Sequence, residues 1–246
     1  MTNNNSTSVP TGLVSKFRFS GRIHPNNKFH QLKAEAPPDH VIAPHYVHVE
    51  GVGDIPQYAP TVFGQSVAYD PPNDCQGYFM SARFQPNNNC YAYGCVIASN
   101  SFPQPGRLNG YLLPTSFTGD DVAHGAQLDG LVLMGQSLDA VYSHAKTATP
   151  GHYVALLISP PDPANEWPGD YHWVRCDDLA SLSWSQKDGS DQVTNFDFAG
   201  NPISDPVTAN WTVNQGPISK SEPGDLIVSY VFYAYMYVPQ GGVNII

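Results

Sequence analysis

A chain of 246 residues has room for one large domain, or one domain with an extension, and for a sizeable core. Its formal charge of -10 argues against nucleic acid and anionic membrane surfaces as partners. Only 13% of residues are charged, while 23 Pro, 21 Gly and 14 Tyr favour strands and turns over long surface helices.

Met1 to Phe17 contains no apolar h-region, so no secretory signal is expected. The longest apolar run, Leu226 to Val238, is too short to cross a bilayer as a helix. Four cysteines (Cys75, Cys90, Cys95, Cys176) without a C-x-x-C element do not make a disulfide scaffold at this size. A reduced chain, cytoplasmic or particle-associated, is the expectation.

Met1 to Pro10 is rich in Asn, Ser and Thr, the composition of a flexible arm. Lys16 to Gly21 alternates like a short strand, and so does His45 to Gly51 within a proline-rich stretch. Residues 1–73 therefore predict an extended N-terminal arm or lid wrapping a body of residues 74–246. Its order has to come from the body or from another subunit, which makes a homo-oligomer through the arm one expectation. His45 and His48 fall on opposite faces of a strand and lack cysteine co-ligands, so no metal is expected, and no cofactor.

Asn87-Asn88-Asn89 supplies turn and N-cap residues ahead of Cys90-Tyr91-Ala92-Tyr93-Gly94-Cys95-Val96-Ile97-Ala98. That predicts a helix with Cys90 in its first turn, where unsatisfied N–H groups and the helix dipole favour a thiolate. The alternative is a buried structural cysteine. Cys90 and Cys95 are separated by about 7.5 Å of helical rise, too far to pair with each other. Ser99 to Gly106 stops the helix.

Asp120 and Asp121 open a second short helix running toward Leu131, with His124 on its surface. Asp139 to Thr147 is a candidate third helix. The sheet signal starts at His152 to Ser159, a nearly continuous apolar run and hence a central strand. Asp170 to Cys176 and Leu182 to Gln186 are the next strands, and Leu226 to Val238 closes an antiparallel sheet. Residues 195–211 carry turn chemistry throughout and form a long structured loop.

Strand parity selects partners for Cys90. Asp170, His172, Val174 and Cys176 share one face of their strand, while Asp177 falls on the other. His172 is held mid-strand between aromatics, and Gln186 on the following strand can orient its ring. A core histidine satisfied by hydrogen bonds is the alternative for His172. His152, after Pro150-Gly151, is the rival base, and on that reading His172 is the orienting residue.

Cys90-Tyr91-Ala92-Tyr93, Phe102 to Gly106, Asp129-Gly130-Leu131, Asp170 to Arg175, Trp184 to Lys187 and Ile203 to Pro206 occur in one order. As a set these resemble poorly characterised bacterial and phage proteins related to papain-like (NlpC-type) cysteine hydrolases, over about residues 85–210. In that group a histidine usually stands where this chain has Gln186. The resemblance implies an α+β, papain-like fold, with a nucleophile-bearing helix packed on an antiparallel sheet. It also implies nucleophile Cys90, base His172 and orienting Gln186, acting on a peptide or amide substrate as an amidase or peptidase. The other function class is a structural or assembly protein, of a virion or particle, that keeps the fold with its chemistry lost or masked.

Overall fold

The computed structural model describes residues 44–65, 69–70, 79–80, 84–165, 167–217 and 224–246. The strand expected at Lys16 to Gly21, most of the N-terminal arm and Cys75 lie outside these residues.

The described part of the arm is docked. Strands β1 (His45–Val49) and β2 (Gly53–Gln57) form an antiparallel hairpin whose inward residues, Val49 and Ile55, close a small core with Ile246. The turn passes through Gly51 at φ +77°, a left-handed conformation that glycine adopts without a Cβ penalty. Strand β3 (Val62–Phe63) pairs with β4 (Ile97–Ala98), the segment directly after helix α1 (Cys90–Cys95).

Helix α1 is shorter than its apolar run suggested. Val96 adopts a left-handed conformation at the C-cap (φ 56°), and Ile97 and Ala98 leave as strand β4. Helix α2 (Gly119–Leu128) starts at a capping box. The Thr118 hydroxyl accepts from the Asp121 N–H, while the Asp121 carboxylate accepts from the Thr118 N–H. His124 lies on its exposed side. Strand β5 (Val132–Gly135) and helix α3 (Leu138–Ala145), capped by the Ser137 hydroxyl, fill the region between α2 and the long strands.

Those strands are β6 (Gly151–Ser159), β7 (Asp170–Asp178), β8 (Ser183–Lys187), β9 (Val193–Thr194), β10 (Thr212–Pro217), β11 (Asp225–Ser229) and β12 (Val231–Pro239). Five of them join β5 in a six-stranded antiparallel sheet of order β5-β12-β6-β7-β8-β9. The fold is therefore α+β: three α-helices among the described residues, packed on largely antiparallel sheet. The apolar run near the end divides in two. Its first part, β11, pairs with β10 in a separate ribbon, while β12 enters the interior of the main sheet between β5 and β6.

Period-two alternation sorts the side chains of the main sheet into two cores. Val154, Leu156 and Ile158 of β6, Tyr171 and Trp173 of β7, and Met236 and Val238 of β12 pack with Cys90, Tyr91, Val122 and Ala126 of α1 and α2. Tyr153, Ala155 and Leu157, Val174 and Cys176, and Tyr235 and Tyr237 point the other way, toward Val141, Trp211, Leu226 and Tyr230. At Gly94 α1 lies directly on the sheet: a Cβ there would be in van der Waals contact with the Trp173 Cβ at 3.4 Å. The fully buried Tyr91 ring rests on Trp173 at a centroid distance of 5.2 Å. Burying one such large side chain contributes about 2–3 kcal/mol.

Candidate functional site

The three asparagines ahead of α1 are fully buried, and the side chains of Asn88 and Asn89 are committed to hydrogen bonds. Asn89 is the N-cap: its Oδ1 accepts from the Ala92 N–H at 3.1 Å, and its Nδ2 donates to the Pro103 carbonyl at 2.7 Å. Asn88 exchanges two bonds with Asn100, donating from Nδ2 to Oδ1 at 3.0 Å and accepting from its backbone N–H at 2.9 Å. Cys90 thus opens a capped helix, but its relative exposure is 0%. Its thiol points toward the Tyr171 carbonyl at 3.9 Å.

Beside it lies a residue that the sequence reading passed over. Lys187 is wholly buried, and its Nζ donates to the carbonyls of Gln85 and Gly189, both at 2.8 Å, and to that of Asn88. Burial pushes this lysine down to about 7, against the opposing pull of Cys90 and Asp188. Parity was the available signal: Lys187 follows Gln186 on β8 and so faces the opposite side, toward α1.

His172 faces away from α1. Its ring packs against Phe198 and Trp211, each at 5.6 Å between centroids, and against Tyr230 at 6.0 Å, all on the far side of the sheet. It is fully buried, and burial lowers its pKa to about 4, with the Asp188 charge and the neighbouring Gln186 amide pulling upward. Gln186 stands opposite Val174 in the β7–β8 register, diagonally beside His172, and its Nε2 donates to the Phe196 carbonyl at 2.8 Å. The structure therefore brings His172 and Gln186 together and sets Cys90 on the other face of β7.

His152 is on the α1 side of the sheet but at the wrong end of the helix for Cys90. Its Nε2 lies 2.6 Å from the Gly94 carbonyl, near the C-terminus of α1. Burial lowers its pKa to about 4, and the Arg175 charge adds to that effect while the Gly94 bond resists it.

The motif residues between these positions act as locks. Asp129 accepts from the Tyr91 hydroxyl at 2.8 Å, the Gly106 N–H at 2.7 Å and Asn109 Nδ2 at 2.9 Å. One carboxylate thereby ties α1, the loop through Gly106 and the end of α2. Burial nevertheless raises Asp129 to about 6. Gly106 has to be glycine: it sits at φ +78°, and a Cβ there would lie 2.8 Å from Tyr111 Cδ1 and 2.9 Å from Gly125 Cα. Under α1, Arg175 pairs with Asp177 at 2.9 Å, lies over the Tyr93 ring at 4.2 Å, and shares Asp177 with the Ser185 hydroxyl at 2.8 Å. In the loop of residues 195–211, the Asp197 carboxylate accepts from the N–H groups of Ala199, Asn201 and Asn210, each at 2.9 Å.

A hollow of about 730 Å³ opens beside Gln186, lined also by Gln85, Asp188, Thr194 and Phe198. Among the described residues no group of three or more His, Cys, Asp or Glu side chains is placed to hold a metal. No described helix is long and apolar enough to cross a membrane.

Fold and site together define an α+β protein with Cys90, His152, His172 and Lys187 buried on the two sides of one antiparallel sheet. No family model matches the chain, and no solved structure matches it. Insoluble matrix shell protein 1 of Ruditapes philippinarum is 34% identical to it over 150 residues, spanning 56% of this chain and 85% of that protein. The chain belongs to the family of that shell protein.

Proposed function

We propose that the chain is a structural, assembly-forming protein, built on a papain-like arrangement whose Cys90, His172 and Gln186 serve as core. The observation that carries this reading is geometric. Cys90 and His172 are both fully buried, and β7 separates the thiol from the imidazole. A base must come within hydrogen-bond reach of the nucleophile it activates, and an imidazole pushed down to about 4 is uncharged near neutral pH. The relative's name, insoluble matrix shell protein 1, supports the same class. On this reading the N-terminal arm contributes contacts between copies.

Light scattering on the full chain, compared with a chain beginning at residue 44, tests it. The full chain is expected to associate, and the shorter one to stay folded and lose association. A monomeric full chain would count against the reading.

A second reading, a cysteine amidase or peptidase, is favoured by the Asn89-capped start of α1 and by Gln186 standing diagonally beside His172 at the 730 Å³ hollow. Turnover of a peptide library that disappears in Cys90→Ala would establish it.

A further inference from the structure

A second cavity, of about 290 Å³, lies between the C-terminal end of α1, the β3–β4 pair and the ends of β6 and β12. Most of its wall is apolar, from Phe63, Val96, Ile97, Val238 and Val243. A cavity of roughly half that size, about 150 Å³, already accepts benzene when its lining is apolar. The space here is ample for a small ring or a short branched chain.

Of the polar side chains His152, Gln65 and Gln240 in that wall, His152 is the buried one. His152 is only 8% exposed, and what remains of its surface lines the cavity. Its tautomer follows from its single hydrogen bond. The Gly94 carbonyl can only accept, so Nε2 carries the proton and Nδ1 presents a lone pair. No described residue donates to Nδ1, and this nitrogen is not among the sealed, unpaired atoms of the interior. It is open to the cavity as an acceptor. A nearly buried acceptor without a donor favours a ligand that supplies one.

We propose that this cavity binds a small apolar molecule carrying one O–H or N–H donor, with the donor directed at His152 Nδ1 and the apolar body against Phe63, Ile97 and Val243. Gln65 and Gln240 also border the site. The site requires no charge on the ligand and is independent of whether Cys90 is reactive.

Phenol and toluene test the proposal, since they share size and apolar character and differ in the donor. Each is titrated into the full chain while the imidazole ¹⁵N resonances of His152 are followed by NMR. Phenol is expected to move the Nδ1 resonance in the direction of an accepted hydrogen bond, and to bind about fivefold tighter than toluene. Val243→Phe, which fills the cavity, should abolish phenol binding while distant resonances stay in place. The proposal is overturned by absence of any shift, by equal affinity for the two probes, or by unchanged phenol binding in the filled variant. If Val243→Phe does not fold, the comparison of phenol with toluene on the unaltered chain still decides.

Discussion

Replacing His172 by phenylalanine keeps an aromatic ring against Phe198, Trp211 and Tyr230 and removes one titrating group. The folded-state pKa of His172 is about 4, depressed from an ordinary 6.5 by burial. For a group depressed in the folded state, the stabilising contribution is complete above the unfolded pKa and is lost as pH falls through the folded one. The window is therefore about pH 6.5 down to about 4. At about pH 4.5 an unfolded chain has protonated this histidine and the folded chain mostly has not, which costs about 2.5 kcal/mol relative to neutral pH. His152, depressed equally, adds a similar acid penalty to both proteins and cancels in the comparison. Urea unfolding at about pH 7 and about pH 4.5 should then show His172→Phe losing about 2–3 kcal/mol less than the parent chain on acidification. Equal losses would refute the reasoning. So would an NMR titration placing His172 above its ordinary range, which a thiolate–imidazolium pair with Cys90 demands.

Two further perturbations probe the locks around α1. Lys187→Met strands the carbonyls of Gln85, Asn88 and Gly189, and should cost about 3 kcal/mol in chemical unfolding; a loss under about 1 kcal/mol would mean that the lysine holds nothing that water cannot. Asp129, raised to about 6, has the opposite sign from the histidines: its contribution is complete below the unfolded value of 3.8 and fades as pH rises through about 6. Asp129→Asn should accordingly flatten the stability change between about pH 4 and pH 6, by about 2 kcal/mol, and an unaltered slope would rule out Asp129 as its source.

Local chemistry made much of this fold legible. The Asn89 cap, the acidic start of α2, the apolar run of β6 and the alternation of β7 are signals carried by a few adjacent residues, and each element sits where its signal lies. Non-local choices were not legible. Nothing in Leu226 to Val238 says that the chain breaks at Tyr230, or that β12 inserts between β5 and β6, because that order is set by which faces the helices cover. The α1 stop came early for a related reason: Val96 adopts φ 56° so that Ile97 and Ala98 can pair with β3, a partner over thirty positions back.

The candidate site divides along the same line. The sequence put His172 and Gln186 on neighbouring strands, and in the β7–β8 register they are diagonal neighbours. Parity on one strand does not say which face a helix covers, and α1 covers the face of Tyr171 and Trp173. The shared motifs were readable as a set, but their work was not. Asp129 joins Tyr91 to the Gly106 loop across distant segments, and only the folded chain brings those groups within hydrogen-bond range.

Thiol labelling of the folded full chain with iodoacetamide at about pH 7 tests the central claim most directly. Labelling follows thiolate fraction and access. With Cys90 fully buried and β7 between it and His172, Cys90 is expected to react no faster than the buried Cys95 and Cys176, at a rate set by opening of the chain, and His172→Ala should not remove any selectivity. Rapid labelling of Cys90 ahead of the others, lost in His172→Ala, would contradict the account and make the pair a working nucleophile and base.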